Sequence, residues 1–526
     1  MLTHLRGGRN YRSPVRTACT AREAQSSDSI SKNDLRFYRK FKRVTKTFAA
    51  LIALCSCPLE AIAGPWAEVA PHGETRSNIA LVSAAGAIGP LISQWPIAWN
   101  LVTAPSQNSA MNSEYVQVSA SALRDRKRAS TKSQELKTAL AVEVTTSTSV
   151  VRGFDALSRH TVQTQLSLEY LTGRTAFRLD LNAHSKNAHE RKSLSLEGTY
   201  IAQRVDDFAL YAGYVEHWWG PGWFSALGLS NNAVPMPQIG ISRISSDPFK
   251  IFGLSWLGPW RGEFLIGLLD GPRQVSDTVF VASRISFSPF RHLEIGLSRM
   301  TEMCGRGVAC SPLDYFSLRN DETIVNNSND QGTIDIRYSR GFKNWTYEVY
   351  AQAMNEDTNP FVHSATSHLI GASLWAPIDA GIGRITVEYS DSVASENLFG
   401  GGVLHGAAYN NTTYSDGMRY RGRTLGFSLD SDSTLLSIAL HLAGRKEHSI
   451  SLAYHHAQIN TKENRHPNIL SSVPVAINVG EAKLRWPLTF GRHSTWFVIA
   501  GRVEDNQIPP MAGFRPAIEL AISTQL

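Results

Sequence analysis

The stretch Ile334-Asp335-Ile336-Arg337-Tyr338 alternates strictly between apolar and polar side chains. In a β-strand, successive side chains point to opposite faces, so this stretch would have one apolar face and one charged face. The same period of two recurs at 177–181 and at 482–486, again with charges on the polar face, and turn residues separate such segments at strand-length intervals. An apolar outer face and a polar inner face are typical of a transmembrane β-barrel with a wet lumen.

The first 63 residues have a different composition from the rest of the chain. They hold 12 of the 52 basic and 4 of the 45 acidic residues, so the remainder is close to neutral. Basic residues precede an apolar run at 48–59, and Ala61-Ile62-Ala63 gives a small-x-small cleavage pattern. This order predicts a signal peptide with an upstream extension, and the run is shorter than the roughly 20 residues of a spanning helix. An amphipathic helix on a membrane surface is the alternative.

The remainder of the chain offers no second candidate for a membrane helix. An exported chain with alternating strands therefore belongs in a bacterial outer membrane, with its lipid as a partner. Two cysteines, Cys304 and Cys310, remain after the leader and lie close together in a Gly-containing stretch. In an oxidising compartment they predict a loop disulfide, and a metal pair is the alternative, although two cysteines are too few for a structural zinc site.

Behind the leader, residues 64–142 predict a small helical region held in the periplasm. Ser77 could cap a helix through Ala85, and Ser113 could cap another through Arg128. Residues 143–526 predict an 18-stranded antiparallel outer-membrane β-barrel. The predicted strands are 143–152, 161–171, 174–184, 193–204, 208–217, 248–257, 261–270, 278–288, 291–301, 332–339, 344–356, 366–376, 383–391, 433–443, 448–458, 478–489, 493–504 and 517–526.

The parity of the barrel supports this number. Both ends of the chain lie in the periplasm only if the strand number is even. With eighteen strands, all the short turns fall on the periplasmic side, and the long connections 218–247, 302–331, 392–432 and 459–477 are extracellular. The weakly alternating segment 420–430 is then expected in an outer loop or in the lumen.

The alternation also predicts which side chains face lipid. Asp335, Arg337, Lys483 and Arg485 are expected in the lumen, and their neighbours Ile336, Leu484 and Trp486 are expected against lipid.

Several motifs occur in a fixed order along the mature chain. They are Trp95–Trp99, Trp218-Trp219-Gly220-Pro221-Gly222-Trp223, Ser230–Pro235, Trp256–Arg261, Cys304–Gly307, Tyr420–Gly426 and Asp430–Ser433. Together they resemble the Wzi family of capsule-assembly proteins, from about Trp66 to Leu526. The resemblance implies an eighteen-stranded outer-membrane barrel, a periplasmic helical bundle and lectin-like attachment of capsular polysaccharide at the cell surface.

Two groups of residues in these motifs are candidates for polysaccharide binding. Trp218, Trp219 and Trp223 offer flat apolar faces for sugar rings, or they pack a loop inside the barrel mouth. Arg421 and Arg423 offer planar donors for acidic sugars, or they pair with carboxylates of the lumen.

Other classes of function find less support in the sequence. Gly-x-Ser-x-Gly and His-Glu-x-x-His motifs are absent, so we expect no catalytic residues, no metal and no cofactor. Without the leader the chain has no basic footprint for nucleic acid, and a monomer is expected. A channel for sugars or other small solutes is the main alternative, because an eighteen-stranded barrel is wide enough for an aqueous lumen. A barrel hydrolase is a third class, without a recognisable Ser/His constellation.

Overall fold

The computed structural model describes most of the chain after the predicted leader. The predicted signal peptide lies outside the described residues. None of the helices in the described part is long and apolar enough to cross a bilayer. The described residues are 66–67, 74–102, 113–157, 159–186, 192–250, 253–311, 315, 328–342, 344–356, 365–379, 381–398, 400–444, 448–462, 468–490, 493–506 and 513–526.

Across these ranges, eighteen antiparallel strands close into one barrel, as predicted. Strand β18 pairs with β1, for example Leu520 with Val144, and this pairing completes the ring. The strands are β1 Leu136–Thr145, β2 Val162–Leu171, β3 Thr175–His184, β4 Tyr200–Val205, β5 Phe208–Gly213, β6 Gln238–Arg243, β7 Trp260–Leu269, β8 Thr278–Phe287, β9 Leu293–Met303, β10 Asn329–Phe342, β11 Trp345–Glu356, β12 Thr366–Ile378, β13 Gly381–Asn397, β14 Thr434–Gly444, β15 Ser449–Ile459, β16 Val475–Phe490, β17 His493–Asn506 and β18 Gly513–Gln525. Two short strands flank this ring, Leu194–Ser195 beside β3 and Gly400–Leu404 beside the outer part of β13.

Two predicted strands were wrongly placed. The first strand is Leu136–Thr145 and not 143–152, so the barrel begins at Leu136. The sixth strand is Gln238–Arg243, and the predicted strand 248–257 instead contains a 3-10 turn at its end. In β6 the polar Gln238 and Ser242 are buried while Ile241 is exposed, which is the alternation expected of a barrel strand. Small residues such as Gly240 weaken that pattern in the sequence.

The two ends of the barrel differ in their connections. At one end, called the turn end, seven of the eight connections between described strands span two to five residues, and the eighth, 244–259, is longer. At the opposite end, the loop end, connections such as 146–161, 214–237 and 398–433 are long. This is the arrangement that parity predicts, and the Cys304–Cys310 disulfide joins residues at the loop end.

The two faces of the barrel wall have opposite polarity, as the alternation predicts. Asp335 and Arg337 are 1% and 2% exposed in the lumen, while Ile336 between them is 46% exposed on the outside. Arg485 is likewise buried, and its neighbour Trp486 is exposed. Near the turn end, large aromatic side chains form an outer belt of the kind that lies at a membrane interface. The belt contains Trp256, Phe290, Phe342, Trp345 and Trp486.

The apolar core of the molecule lies inside the barrel. Helix α1, Glu74–Ala84, is buried in the lumen near the turn end, and helix α2, Glu114–Ser130, packs against it. Both predicted helices are present, although α1 begins three residues before Ser77. Residues 214–237, which we call the lumen plug, fold inward from the loop end and supply much of the same core. Residues 419–424 also fold inward as a small hairpin, one of the two places expected for this segment.

Candidate functional site

The tryptophans of the lumen plug join segments that are far apart in sequence. Trp218 and Trp219 form a short antiparallel ladder with Trp95 and Gln94. The ring of Phe154 lies 4.9 Å from the ring of Trp95 and 5.5 Å from that of Trp218, in edge-to-face contact with both. Such aromatic pairs stabilise a core by about 0.5–1.5 kcal/mol each beyond the area that they bury. The plug is therefore anchored to the N-terminal segment and to the β1–β2 connection.

Trp223 is held by charged side chains from both a helix and the barrel wall. The guanidinium carbons of Arg384 and Arg76 lie 3.6 Å and 4.3 Å from the centre of its ring. Its indole N–H donates to Glu348 at 2.7 Å, and its backbone N–H donates to Glu388 at 2.6 Å. Burial lowers the pKa of the Arg76 guanidinium to about 10, so this cation is still present at neutral pH. These contacts hold the tip of the plug in place between helix α1 and the barrel wall.

The predicted stacking residues are therefore covered by protein. Trp218, Trp219 and Trp223 are 0%, 1% and 5% exposed. Their contacts agree with the second role considered for these tryptophans, which is to pack a loop inside the barrel mouth. A role in stacking on sugars stays a prediction, for which the structure offers no exposed indole face.

The two predicted arginines lie at the loop end, beside the plug. Arg421 is at the tip of the 419–424 hairpin, and its guanidinium is 3.2 Å from Asp270. Arg423 approaches the side-chain oxygen of Asn232, a residue of the plug, at 3.5 Å. Both arginines remain partly exposed. The structure thus brings the two arginines next to the plug that contains the three tryptophans, with the arginines accessible and the tryptophans buried.

A polar cavity at the loop end, which we call the loop-end pocket, has a volume of about 190 Å³. The first strands of the barrel, the β1–β2 connection and the plug form its walls. Trp66 and Tyr200 contribute aromatic surface, with ring centres 5.4 Å apart. Charged side chains of both signs line the rest, namely Arg152, Arg159, Arg178, Glu143, Asp180, Glu197 and Glu216.

The barrel wall is irregular where it borders this pocket. The backbone ladder between β3 and β4 ends at Arg178 and Tyr200. Beyond that point, the backbone N–H of Asp180 donates to the Thr199 hydroxyl at 2.9 Å. Gly198 has φ +90°, and a Cβ there would lie 2.1 Å from an oxygen of Asp180, so a glycine is required. Irregularities of this kind are common beside functional sites in sheets.

Most charges of the pocket are paired within it. Arg178 and Asp180 are 2.9 Å apart, and Arg159 and Glu216 are 2.5 Å apart. Three buried polar atoms of the pocket nevertheless lack a hydrogen-bond partner among the described residues: Trp66 Nε1, Arg159 Nε and Asn231 Oδ1. Buried polar groups are nearly always hydrogen-bonded, so these three atoms are exceptions among the residues around the pocket.

Few features of the sequence indicate this pocket. Asn231 lies within the quoted motif Ser230–Pro235, so a signal for it existed. Trp66 lies three residues after the predicted cleavage site, and nothing in its neighbourhood indicates that it enters the lumen. Arg152 and Arg159 belong to a connection whose fold is set by tertiary contacts, such as the bond from Arg159 to Glu216. No group of three or more His, Cys, Asp or Glu side chains in the described part of the chain could hold a metal ion.

Comparison with proteins of known structure supports the same fold. The chain is similar to Wzi of Escherichia coli, described as an outer membrane protein involved in group 1 capsule assembly and a carbohydrate-binding β-barrel. The two share 18% sequence identity with a TM-score of 0.73, over 88% of this chain and 99% of that one. At this identity the likeness concerns the fold.

Comparison of sequences extends this result. The chain is 26% identical over 179 residues to an uncharacterised 55.8 kDa protein of the cps region of Klebsiella pneumoniae. That alignment covers 33% of this chain, and it spans about a third of the relative's length, 36%. The family model for the capsule assembly protein Wzi matches residues 131–501, which is most of the barrel. The chain belongs to the Wzi family of capsule assembly proteins.

Proposed function

We propose that the protein binds capsular or related surface polysaccharide at its loop end and helps to assemble or attach it at the cell surface. The observation that carries this proposal is the loop-end pocket, a polar cavity of about 190 Å³ that is lined by charged and aromatic side chains. Membership of a capsule assembly family supports it, as does the carbohydrate binding ascribed to the similar Escherichia coli barrel.

The proposal includes a location and an orientation. Removal of residues 1–63 as a signal peptide would deliver the chain to the outer membrane, with the turn end and the helical region toward the periplasm and the loop end outside. The outer belt of exposed aromatic residues near the turn end supports contact with membrane lipid. A disulfide at the loop end is in keeping with an oxidising exterior. Within this proposal the barrel acts as a monomer and has no nucleic-acid partner.

Within the proposal, the predicted polysaccharide-binding residues have two different roles. Arg421 and Arg423, which are partly exposed at the loop end, would contact acidic groups of the polysaccharide through their planar donors. Trp218, Trp219 and Trp223 would keep the plug rigid beneath them, because their rings are buried among other rings and guanidinium groups. The role is one of binding and not of catalysis.

A channel for small solutes is the competing function, and the packing of the lumen argues against it. Helix α1, residues 94–99 and the plug together fill the interior with a continuous apolar core. A conducting barrel of this size would instead hold an aqueous lumen.

Polysaccharide binding by the purified protein tests the proposal. Capsular polysaccharide from the source strain is titrated against the detergent-solubilised barrel, and saturable binding is expected. The double variant Arg421→Ala, Arg423→Ala should weaken binding to an acidic polysaccharide about tenfold or more, since each charge-assisted bond contributes roughly 1.5–3 kcal/mol. Arg128→Ala, an exposed change on α2 at the other end, is the control. Absence of any binding by the wild-type barrel would refute the proposal.

A further inference from the structure

We propose that the rim of the turn end beside β1, β2 and β3 binds an anionic phospholipid of the periplasmic leaflet. The phosphate is held by Lys132 and Arg174, and the acyl chains lie along an apolar row on the outer face of the barrel. The segments 131–137 and 171–175, which carry the two cations, are called the basic rim. The inference goes beyond polysaccharide binding, and it rests on the proposed orientation, with the turn end toward the periplasm.

Positive charge is concentrated where helix α2 leads into the barrel. Residues 124–137 contain six Lys or Arg and two Asp or Glu, a net charge of +4, although the chain after the predicted leader is close to neutral. The helix dipole favours cations in the last turn of α2, which accounts for Lys127 and Arg128. It does not account for Lys132 and Lys137, which follow the end of the helix. These two cations need another reason.

The connector between α2 and β1 is held against the barrel rim. The backbone N–H of Gln134 donates to the carbonyl of Leu171, the last residue of β2, at 2.7 Å. Lys132 lies two residues from this bond on one segment, and Arg174 lies three residues from it on the other. Both cations are exposed. The fold therefore presents two positive charges at one place on the rim, from segments that are joined by a backbone hydrogen bond.

Both cations are available to a phosphate. Lys132 lies 3.6 Å from Glu135, but each of these side chains is more than half exposed, and such surface pairs contribute little. Arg174 forms no ion pair with a carboxylate of the described residues. The next turn along the rim contains Asp206 and Asp207, so the turn end does not have one sign of charge all round. The cations of the basic rim are thus a local feature of β1–β3.

An apolar row lies on the outer face next to the basic rim. Leu136 of β1 is opposite Tyr170 of β2, and Tyr170 is opposite Phe177 of β3. These side chains are 61%, 41% and 45% exposed. Each is three or four residues from Lys132 or Arg174, which is at most about 14 Å along the chain.

The combination of the basic rim and the apolar row matches the chemistry of a lipid. Phospholipids place a phosphate directly above acyl chains, and cations beside a bilayer surface attract anionic headgroups. The outer face of this outer-membrane barrel meets acyl chains, so the apolar row positions them below the cations. A soluble acidic partner would use the charges alone and would leave the apolar row without a role. A phospholipid uses both.

Lipid binding by the purified barrel is the first test. The barrel is stripped of lipid and titrated with phosphatidylglycerol or with zwitterionic phosphatidylcholine of the same chain length, and bound lipids are counted by native mass spectrometry. Phosphatidylglycerol should bind more tightly. The double variant Lys132→Gln, Arg174→Gln should lose about thirtyfold in affinity for it and none for phosphatidylcholine, because each cation favours an anionic lipid about fivefold. Equal affinity of the wild type for the two lipids would overturn the inference.

A matched variant separates this site from net charge. Lys186→Gln with Arg306→Gln removes two exposed cations at the loop end and should keep the affinity of the wild type for phosphatidylglycerol. Heat-modifiable migration on gels establishes that both double variants form barrels. An equal loss of affinity in the two would mean that total charge alone attracts the lipid, which contradicts a site at the basic rim.

Photochemical crosslinking tests the location. Phosphatidylglycerol with a photoreactive group beside its phosphate should attach within 131–137 and 171–177, and attachment spread evenly around the turn end would overturn the inference. Glycerol phosphate, which has no acyl chains, should not compete with this lipid, and equal competition would remove the role of the apolar row. Preference for lipopolysaccharide would place the turn end outside and overturn the inference as well.

The two proposals fail separately. Polysaccharide binding by Lys132→Gln, Arg174→Gln should equal that of the wild type, because both residues are at the turn end. If the barrel binds polysaccharide but shows no lipid preference, only the inference about the basic rim fails. If it selects phosphatidylglycerol but binds no polysaccharide, only the proposed function fails.

Discussion

At the scale of single residues, one contact reaches across a whole strand. Arg284 on β8 and Asp335 on β10 are separated by β9, yet their side chains form two hydrogen bonds of 2.7 Å and 2.9 Å in the lumen. Gly296 of β9 lies opposite Asp335 and has no side chain to fill the space between them. Both charged groups are buried, so neither can exchange its partner for bulk water, and breaking such a pair costs several kcal/mol.

We expect Gly296→Ala to destabilise the barrel by about 1–3 kcal/mol. The new Cβ would lie 2.3 Å from a nitrogen of Arg284 and 2.6 Å from an oxygen of Asp335, so both side chains have to shift and their hydrogen bonds are strained. Gly480→Ala is the control, because a Cβ there has no neighbour within 4 Å among the described residues. Urea-gradient unfolding of the refolded barrels measures the difference, and equal midpoints for the two variants would show that the space can adjust.

A further prediction concerns the residues on the outer face of the barrel, which face lipid. Ile336 lies near the middle of β10 and is exposed on the outer face. Ile336→Arg should cost about 2–4 kcal/mol, because a charge at the bilayer midplane loses its hydration. Ile336→Val keeps the apolar surface and should fold like the wild type. The fraction of heat-modifiable barrel in isolated outer membranes is the measurement, and full assembly of the arginine variant would place this residue away from lipid.

At the scale of elements, helix α1 acts as a connector between the barrel wall and the lumen plug. Its first residue, Glu74, bonds to Arg485 of β16, and Ser77 accepts the indole N–H of Trp375 at 3.2 Å. Between them, Arg76 donates to the carbonyl of Pro221 in the plug at 2.7 Å and lies over the ring of Trp223. The first turn of α1 thus joins the helix, which lies near the turn end, to the plug, which enters the barrel from the loop end.

We expect Arg76→Ala to loosen α1 and the plug together. The change removes a desolvated cation–π contact of about 2 kcal/mol and a buried hydrogen bond. Arg128→Ala removes the same type of side chain from the exposed end of α2 and should have no effect. Limited proteolysis is the measurement: cleavage should become faster at both α1 and the plug. Faster cleavage at only one of them would show that the two are not coupled through this residue.

Some of the elements of this fold could be predicted from the sequence, and others could not. Alternation such as that of 334–338 predicts most barrel strands, because period two follows from local geometry. The strands β1 and β6 were misplaced where small residues, such as Ala139, Ala141 and Gly240, weaken the contrast between the two faces. The pocket was beyond prediction, since Trp66 meets Tyr200 and comes to line one cavity with Asn231 only through folding inside the lumen. Sequence spacing contains no information on such encounters.

At the scale of the whole molecule, the barrel is wide but filled. Eighteen strands across the described ranges would enclose an aqueous lumen if the interior were empty. Instead, inward-facing charges pair with each other or with the interior segments, as Lys483 does with Asp155 at 3.1 Å. The polar inner face that the sequence predicts therefore holds the interior segments through ion pairs.

We predict that the intact protein does not conduct in planar bilayers and that removal of the plug opens it. In the variant, a short Gly-Ser linker replaces residues 218–234, which removes the three tryptophans together with most of the plug. Stepwise ion currents are expected. Deletion of 400–404, which pairs with the outer part of β13, is the control and should remain closed. Conductance of the wild-type barrel at the level of an open pore would favour the channel alternative.

The pairing of β18 with β1 has a consequence for biogenesis. The last strand of the barrel pairs with the first, so the seam can form only once both strands are present. The ring that this seam closes encloses α1, residues 94–99 and the plug, whose side chains contact one another across the lumen. We therefore expect these segments to enter the lumen before the seam is complete, so that the ring closes around its contents.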